Sequence, residues 1–398
     1  MATAQSPSDI QSKVLRSLEG TPFAAKSLVP LSGGNANFIY LADLVHPLDS
    51  VAQVLVKHGE GFLASNTAFE IPTSRCHIED ACLRALSSSS VDASTAPGSD
   101  DHDNGGYRYV VRTPKYYPFP QDPTTQIQEY LPNGANLKVY ALKHWSAAGS
   151  SSLDEPGSTG LQPPPTHARQ LGRALGRWLR AFHGSSELLH RGELRKAVAA
   201  NTAMQGLKHT INFQWLLDRV AQFPDILSEA APVFEEVKEM AAAEVRDESQ
   251  LQVIHGDFWT GNILLPNAPL SLNAEPVPVF VVDWEMAQLG LPNLDLGQML
   301  AEMYELWLYR RIRGGLWMME GFVEGYGAVT EAFALRTAIQ LGAHLVCFGT
   351  SVPGWGTPEQ VQEVARTGRD IICHAWRKNR DWFEEEGELS GLFSCVKP

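Results

Sequence analysis

The sequence predicts an α+β fold in two lobes, a small strand-rich N-terminal lobe with one helix and a larger, mainly helical C-terminal lobe. Short runs rich in β-branched and aromatic residues fill the first third of the chain, and from residue 166 onward apolar residues recur with the 3.6-residue period of helices. With 398 residues, 44% of them apolar, the chain is long enough to form two cores. This arrangement predicts a ligand cleft between the lobes.

Four short segments of the first third are predicted strands, because each combines β-branched or aromatic residues with polar ones. A helix interrupts them at 74–86. This helix is indicated by apolar or small residues that recur at helical spacing, at Cys76, Ile78, Cys82, Leu83 and Leu86. The predicted strands are NFIYLADL, QVLVKHG, YRYVVRTP and TQIQEYL.

The remainder of the chain is predicted to be helical, with two short β segments, VIHGDFWTGNILL and VPVFVVDW. Two stretches, 87–106 and 146–165, are too poor in large apolar residues to repay the entropy of ordering, so we expect flexible surface loops there. The pattern changes near 128–136, which places the boundary between an N-terminal lobe, 1–130, and a C-terminal lobe, 131–398. The predicted helices include HARQLGRALGRWLRAFHGS, FQWLLDRVAQF and VFEEVKEMAAAEVRDE.

The composition argues against a nucleic-acid or membrane partner. The formal net charge is -13, and the sequence has no Lys and Arg clusters of the kind that bind phosphate backbones. It also has no signal-peptide core at the N-terminus and no run of 18 apolar residues. Its five cysteines lack metal-ligand spacing and are typical of reduced thiols. We therefore expect a cytoplasmic protein, a monomer or a homodimer, that binds a small molecule.

Five polar residues stand in locally apolar surroundings and together predict a chemistry. Taken singly, each is more typical of a solvated or ion-paired surface group. Transfer of a phosphoryl group from ATP, however, requires a Lys on the α- and β-phosphates, a Glu that holds this Lys, an Asp near the acceptor hydroxyl, and an Asn and a second Asp on Mg²⁺. The chain carries these residue types in that order, as Lys57, Glu79, Asp257, Asn262 and Asp283.

The spacing of the last three residues matches a kinase frame, in which H-R-D is followed by an Asn five residues after the Asp and later by D-F-G. This sequence has H-G-D at 255–257, Asn262 five residues after the Asp, and D-W-E at 283–285. The segments HGDFWTGNILL and VVDWEMAQLGLPNLDLG resemble the signature of the aminoglycoside phosphotransferase family, which includes choline kinase-like proteins. The resemblance runs from about residue 28 to about 385. With LSGGNANFIYLADL and the Arg75/Glu79 pair, it is greatest to the branch of methylthioribose kinase and fungal 4-hydroxytryptamine kinase.

The resemblance implies a protein-kinase-like fold with an antiparallel N-terminal sheet, and an enzyme that phosphorylates small molecules with ATP and Mg²⁺. Asp257 would orient the acceptor hydroxyl and accept its proton late in the transfer. Asn262 and Asp283 would bind Mg²⁺, since hard oxygen donors suit this ion. Lys57, fixed by Glu79, would contact the α- and β-phosphates.

Two further segments acquire a nucleotide-binding role from the resemblance. The turn 31–37, LSGGNAN, would cover the phosphates with its backbone N–H groups, although a plain hairpin turn has the same composition. The segment IQEYLPN would be the hinge, with backbone groups of Glu129 and Leu131 beside adenine, and its alternative is a simple linker between the lobes. The turn residues predicted to bind nucleotide are Ser32, Gly33, Gly34, Asn35 and Asn37.

Two acidic or basic residues near the catalytic loop are predicted to be structural. His255 ends an apolar strand, where a His is more often a satisfied core residue than a general base. Asp295 stands near a helix start, where a carboxylate is favourable, and it would brace the loop.

The acceptor is predicted to bind against the helical lobe, with Trp259, Trp284 and Glu285 as candidate contacts. Aromatic rings and a carboxylate can hold an amine-bearing aromatic compound through stacking and cation–π contact. Large aromatic residues more often pack in the core, however, so the sequence does not identify the acceptor. Further aromatic candidates are Trp307, Tyr309, Trp317 and Trp355.

Three functional hypotheses follow. The first is an ATP- and Mg²⁺-dependent kinase for a hydroxyl of an amine-bearing or sugar-like small molecule. The second is a catalytically inactive binding or regulatory protein of the same fold, against which the complete residue set argues. The third, a protein kinase, is less favoured because the sequence has no D-F-G, no A-P-E and no room for an activation loop after Asp283.

Overall fold

Strands dominate the chain before residue 130 and helices dominate after it, which confirms the predicted α+β class. The predicted loops at 87–106 and 146–165 lie almost entirely outside the residues that can be described. The computed structural model describes residues 6–89, 91, 108–146, 163, 165–186, 188, 192–269, 276–385 and 387–397.

The described strands are short, and they include all four predicted strands of the first third. In chain order they are β1 (Ala25–Pro30), β2 (Phe38–Leu48), β3 (Val51–His58), β4 (Phe62–Leu63), β5 (Asn66–Glu70), β6 (Tyr109–Arg112), β7 (Tyr116–Tyr117), β8 (Thr125–Glu129), β9 (Gly134–Asn136), β10 (Gln252–Ile254), β11 (Ile263–Pro266), β12 (Val277–Val281) and β13 (Gln288–Gly290).

The described helices include the predicted helix at 74–86 and the three predicted helices of the C-terminal lobe. Short 3₁₀ turns lie at Ser228–Ala230, Thr260–Asn262, Trp284–Met286 and Ser390–Phe393, and π turns at Thr210–Gln214 and Leu345–Gly349. The α-helices are α1 (Pro7–Leu18), α2 (Ser74–Ser87), α3 (Leu137–Trp145), α4 (Pro165–His183), α5 (Gly192–Ala199), α6 (Thr202–His209), α7 (Trp215–Gln222), α8 (Pro224–Leu227), α9 (Ala231–Glu244), α10 (Asn293–Arg310), α11 (Arg313–Tyr326), α12 (Glu331–His344), α13 (Pro358–Trp376) and α14 (Arg380–Glu385).

The N-terminal sheet is antiparallel throughout, with the strand order β1-β2-β3-β8-β7. One face, which includes Tyr40 and Val56, is buried against α1. Successive residues of a strand point to opposite faces, so Lys57 on β3 projects to the other side. There it meets Glu79 of α2, which places the predicted ion pair on the face of the sheet opposite α1.

Helix α1 adds a second helix to the one predicted for the N-terminal lobe. Ser6 and Asp9 form a capping box at its start. Ile10, Val14 and Leu18, spaced four residues apart, form its buried stripe. Both signals are present in the sequence, and the helix completes the core of the small sheet.

A second sheet connects the region before residue 130 with the helical lobe. Its order is β6-β12-β11-β9, in which β6 and β12 are parallel and the other pairs antiparallel. Asn262 directly precedes β11, and Asp283 follows β12 by two residues. The Val282 N–H donates to the Asn262 carbonyl at 3.0 Å. Strand pairing therefore brings Asn262 and Asp283 to the same end of one hairpin.

Helix α4 lies behind the hairpin of β11 and β12. Its Trp178 stacks on Phe258, with ring planes 9° apart, and meets Trp284 edge-on at 6.0 Å between ring centroids. Gly172 allows α4 to approach α11 closely, because a Cβ atom there would lie 2.1 Å from the Met318 carbonyl oxygen. The segments that contain Phe258 and Trp284 thus pack against a layer of aromatic side chains.

One helical stretch, Glu331–Gly349, is long and apolar enough to cross a membrane, yet 83% of its apolar window is buried inside the helical lobe. Core helices of globular domains show the same combination of length, apolar composition and burial. All five cysteines are free thiols, and four of them are buried. The cytoplasmic location stays a prediction.

Candidate active site

The loop that contains Asp257 is anchored by a buried aspartate. Asp295, in the first turn of α10, accepts hydrogen bonds from the backbone N–H groups of His255 at 2.8 Å and Gly256 at 2.9 Å. His183 of α4 lies 3.0 Å from the same carboxylate. Burial opposes the ionisation of Asp295, but the hydrogen bond and charge of His183 hold its pKa below the ordinary value. The anion therefore fixes the backbone immediately before Asp257.

His255 is fully buried below the loop. Its Nε2 lies 3.1 Å from the Val282 carbonyl oxygen, and the Asp257 N–H donates to its Nδ1 at 3.3 Å. Both contacts are satisfied when Nε2 carries the proton and the ring is neutral. Burial lowers the pKa of His255, which favours this neutral form. The geometry supports the predicted structural role.

The carboxylate of Asp257 is held from two sides. Its Oδ2 accepts a hydrogen bond from Asn262 Nδ2 at 3.1 Å, and its Oδ1 accepts one from Gln298 Nε2 at 2.8 Å. Lys208 Nζ lies 4.0 Å from Oδ1 and also donates to Gln298. The Asp257 side chain remains 28% exposed. It therefore has a fixed orientation and an open edge that an incoming hydroxyl can reach.

Asn262 and Asp283 offer the oxygen donors that Mg²⁺ prefers. Asn262 donates its side-chain N–H groups to the Asp257 carbonyl and carboxylate, at 2.9 and 3.1 Å, and within the described residues nothing donates to its Oδ1. Asp283 adopts a left-handed backbone conformation, with φ of 69°, and its side chain is 35% exposed. An available amide oxygen and a partly exposed carboxylate at one end of a hairpin fit a magnesium ion.

Lys57 is clamped between carboxylates. Its Nζ lies 2.9 and 2.7 Å from the two oxygens of Glu79, and it also contacts Asp283. Burial opposes the charge of Lys57, but the carboxylates of Asp283 and Glu79 outweigh this effect and raise its pKa above that of an ordinary lysine. The Trp284 backbone N–H donates to Glu79 at 3.2 Å. The predicted Lys–Glu pair is thus formed and joined to the D-W-E segment.

The fully buried Arg75 ties the turn 31–37 to the D-W-E segment. Its guanidinium donates to Glu285 at 3.0 Å, to Asn37 Oδ1 at 3.0 Å and to the Ala36 carbonyl at 3.1 Å. Asn37 Nδ2 donates to the same Glu285 oxygen at 2.8 Å. The sequence predicts Glu285 as an acceptor contact, whereas in the structure its carboxylate is buried and accepts hydrogen bonds from Arg75 and Asn37. The structure places it as a brace for the turn.

The turn 31–37 joins β1 and β2, and the Leu31 N–H at its start donates to the Ile39 carbonyl at 2.8 Å. The carbonyls of Asn35 and Ala36 accept hydrogen bonds from the backbone at 64–65, at 3.0 and 3.4 Å. The N–H groups of 32–35, by contrast, donate no hydrogen bond to any described residue. Gly34 has no room for a side chain, because a Cβ atom would lie 2.4 Å from the Asn37 carbonyl oxygen. Free backbone N–H groups on a tight turn are suited to phosphate oxygens.

The predicted hinge follows β8. The Glu129 N–H donates to the Lys115 carbonyl at 2.8 Å, and the Glu129 carboxylate forms a two-point ion pair with Arg112, at 2.7 and 2.8 Å. The Leu131 carbonyl accepts from Gly134 at 3.1 Å, whereas the Leu131 N–H has no partner in the described part of the chain. This free N–H is the group that an adenine nitrogen would require.

The predicted aromatic contacts separate into core and surface residues. Trp284 is fully buried and lies 4.4 Å from His255, between ring centroids, so it has no surface to offer an acceptor. This location contradicts its prediction as an acceptor contact. Trp259 is only partly buried and covers Gly261, so it keeps a surface near Asp257. Of the remaining candidates, Tyr309 and Trp355 are buried, and Trp307 and Trp317 are partly buried.

Two residues that hold Asp257 lie outside every motif in the sequence. Gln298 stands three residues after Asp295 on α10, so helical spacing from the LDLG segment could have suggested it. Lys208, 2% exposed on α6, has no comparable signal. Burial lowers the pKa of Lys208, and the charges of Asp257 and Asp295 oppose this shift.

Gly256→Ala is expected to destabilise the protein by at least about 3 kcal/mol in urea unfolding. Gly256 has a φ of 79°, and a Cβ atom would lie 2.1 Å from the Met286 carbonyl oxygen. The backbone cannot shift freely, because the Gly256 N–H is fixed by Asp295. Gly20→Ala is the matched control, since Gly20 has a φ of 72° but nothing within 4 Å. Equal losses in the two variants would contradict the steric argument.

The class of protein that the sequence predicts, a phosphotransferase, is supported by comparison with known proteins. The family model described as "Phosphotransferase enzyme family" matches residues 144–335. This match confirms the resemblance to the aminoglycoside phosphotransferase family and the expectation of a phosphotransferase enzyme.

Among individual proteins, the chain is 26% identical over 390 residues to phosphotransferase FrzJ of Cladobotryum sp, with 96% of both chains covered. It is 24% identical over 383 residues to 4-hydroxytryptamine kinase of Psilocybe cyanescens, covering 94% of this chain and 92% of that protein. Among solved structures, macrolide 2'-phosphotransferase type I aligns with 13% identity and a TM-score of 0.45, covering 92% of this chain and 98% of that one.

Proposed function

We propose that the protein transfers the γ-phosphate of ATP, with Mg²⁺, to a hydroxyl group of a small molecule. The observation that carries the proposal is the convergence of Asp257, Asn262 and Asp283 at one hairpin end, with Lys57 in contact with Asp283. The relationship to small-molecule phosphotransferases supports it. In this proposal residues 1–130 form the nucleotide-binding lobe and 131–398 the catalytic and acceptor lobe.

Each residue has a defined task in the proposed transfer. Lys57 exchanges its contact with Asp283 for phosphate oxygens while it keeps its ion pair with Glu79. Asp283 and Asn262 would hold Mg²⁺, which would supply positive charge beside the phosphates. Asp257, oriented by Gln298, aligns the hydroxyl for in-line attack and takes its proton. The hydroxyl oxygen bonds to the γ-phosphorus as the bond from that phosphorus to the bridging oxygen breaks, and ADP leaves with the bond's electron pair.

The nucleotide is proposed to lie between the turn 31–37 and the hinge. The free N–H groups of Ser32 to Asn35 would bind phosphate oxygens, and the Leu131 N–H would pair with adenine. Arg75, through Asn37 and Glu285, keeps the turn at a fixed distance from Asp283. The phosphates, the metal ligands and Asp257 would thus be aligned before the acceptor binds.

A protein-kinase function is less compatible with the chain after Asp283. Only residues 284–292 separate Asp283 from the start of α10, and they are occupied by a 3₁₀ turn and by β13. A protein substrate requires a longer segment at this position. An inactive binding protein on the same fold is the remaining alternative, and it differs from the proposal by giving no phosphorylated product.

Mg-ATP at about 100 times its Kd is expected to stabilise the folded protein by about 2.7 kcal/mol, and ATP with excess EDTA by much less. Melting temperatures with ATP, with ATP and EDTA, and with Mg²⁺ alone measure this difference. Turnover is then tested by mass spectrometry with hydroxyl-bearing amines, sugars and hydroxyindoles. Stabilisation by Mg-ATP without product from any of these classes would favour the binding protein, and no stabilisation would contradict the proposal.

A further inference from the structure

Lys138, in the first turn of α3, places its ammonium among two tryptophans and two glutamates. Its Nζ lies 3.0 Å from a carboxylate oxygen of Glu302 and 3.6 Å from one of Glu305. It also lies 4.4 Å from the centre of the Trp355 ring and 5.7 Å from the centre of the Trp259 ring. Carboxylates and aromatic faces together form a binding site for an ammonium group. We call Trp259, Trp355, Glu302 and Glu305 the ammonium box, and Lys138 fills it.

The walls of the ammonium box have contacts of their own that do not involve Lys138. Trp355 Nε1 donates to the Glu305 carboxylate at 3.1 Å, and His344 Nε2 lies 3.1 Å from a Glu302 oxygen. Glu302, Glu305 and Trp355 are at most 6% exposed. We therefore expect the walls to keep their places when the Lys138 side chain is shortened.

One wall of the ammonium box belongs to the catalytic loop. Trp259 stands two residues after Asp257 and is only partly buried. Thr260, the next residue, donates to Glu302 at 3.1 Å. The Lys138 side chain is 16% exposed, so the box is open on one side. An acceptor that reaches Asp257 with its hydroxyl and lies on the exposed surface of Trp259 would therefore meet the charge of Lys138.

The charges of the ammonium box are balanced while Lys138 fills it. Burial opposes the charge of Lys138, but Glu302 and Glu305 outweigh this effect and raise its pKa. Burial also opposes the ionisation of Glu302, but the charge of Lys138 outweighs it and lowers the pKa of Glu302. Burial and the charge of Glu302 raise the pKa of Glu305 to about 8, so this carboxyl is mainly protonated at pH 7. One cation and one anion remain, which leaves no net negative charge to attract a second ammonium.

We propose that Lys138 determines the specificity for the acceptor, because its ammonium occupies the box and excludes a cationic group of the acceptor from the surface beside Trp259. The part of the acceptor that lies there carries no positive charge, and an amine of the acceptor lies away from the box. The inference rests on the proposed function. Its physical basis is the repulsion between two ammonium groups on one small surface, which disfavours the wrong ligand without a clash.

Lys138→Ala tests whether the box binds an ammonium group, because the substitution vacates the place beside Glu302 and Trp355. Melting temperatures are measured with ethylammonium chloride, with KCl and with ethanol. Ethylammonium at about five times its Kd is expected to raise the melting temperature of Lys138→Ala by about 2 °C, since a ligand of the folded state stabilises it. The unsubstituted protein should show no such rise. KCl and ethanol should not reproduce it, since they lack the alkylammonium group.

Lys143→Ala is the matched control for this titration. Lys143 lies on the same helix and forms no ion pair with any residue of the described part of the chain. Its variant should respond to the three solutes as the unsubstituted protein does. If ethylammonium did not stabilise Lys138→Ala, or stabilised Lys143→Ala equally, the box would not be an ammonium site and the inference would be overturned.

Acceptor specificity is measured with two hydroxyl-bearing compounds of the class that gives product, alike except that one carries an alkylammonium group. The quantity compared is the kcat/KM of the cationic compound divided by that of the neutral one. We expect this ratio to rise about tenfold in Lys138→Ala and in Lys138→Gln, which keeps a polar side chain without the charge. It should stay constant in Lys143→Ala.

A ratio that stays constant or falls in the Lys138 variants would overturn the inference, even if ethylammonium binds to Lys138→Ala. Failure of the proposed function is a separate outcome, because the unsubstituted protein would then give no product with either compound. The ethylammonium titration needs no turnover, so it decides in that case too whether the box binds an ammonium group.

Discussion

Asp257→Asn is expected to lower kcat by about 10²- to 10⁴-fold while Mg-ATP still binds. The amide cannot take the proton of the acceptor hydroxyl, and its N–H₂ group would face one of the two donors, Asn262 or Gln298, that now hold the carboxylate. The change is nearly isosteric at a side chain that is 28% exposed, so we expect the fold to survive. Single-turnover rates and the melting temperature measure the two effects separately.

Asp49→Asn is the control for this exchange. Asp49 is exposed in a turn with a φ of 47°, a conformation that Asn adopts as readily as Asp. It should leave kcat and stability unchanged. Full activity of Asp257→Asn would remove Asp257 from the mechanism, and loss of Mg-ATP binding in that variant would show that the substitution disturbs the metal ligands instead.

The residues of the candidate site that sequence analysis could find are those in contiguous motifs. Asp257 and Asn262 lie five residues apart in one loop, so their proximity follows from the chain itself. The Lys57–Glu79 pair follows from a strand succeeded by a helix, and the structure joins them at 2.7 Å. Periodicity also located the main strands and helices, because alternation and the 3.6-residue repeat are local properties.

The contacts that sequence analysis could not find span long separations in the chain. Gln298 meets Asp257 across 41 residues, and Arg75 meets Glu285 across 210. Lys208 reaches Asp257 from a helix with no motif of its own. Only tertiary packing creates these contacts, and no local pattern records them.

The aromatic candidates separate into buried and partly exposed residues for a related physical reason. Trp284 and Trp259 both flank the catalytic motifs, but Trp284 packs against α4 and is fully buried, whereas Trp259 keeps exposed surface. A tryptophan ring can pack in the core or contact a ligand. Which of the two it does depends on the residues that the folded chain brings beside it. The carboxylate of Glu285 illustrates the same limit, because its partner Arg75 was visible in the sequence and the contact was not.

Lys57→Met is expected to abolish phosphoryl transfer and to cost about 3–5 kcal/mol of stability, the usual effect of removing one partner from a buried ion pair. The ammonium is the cation that Glu79 and Asp283 share. One carboxylate oxygen each from Glu79, Asp283 and Glu285 lies within 4.8 Å of the other two. Without the ammonium these carboxylates repel one another in a buried setting. Urea unfolding and the Mg-ATP-induced shift in melting temperature measure the two losses.

A second substitution separates the structural part of this loss from the functional part. Glu79→Gln added to Lys57→Met removes one of the clustered negative charges, so stability should recover in part while turnover stays absent, because no cation remains for the phosphates. Lys26→Met, at an exposed position on β1, is the control and should be neutral in both measurements. If Lys57→Met matched Lys26→Met in stability and in the Mg-ATP-induced shift, the buried cluster around Asp283 would not depend on the lysine. That result would contradict the assignment of the phosphate site.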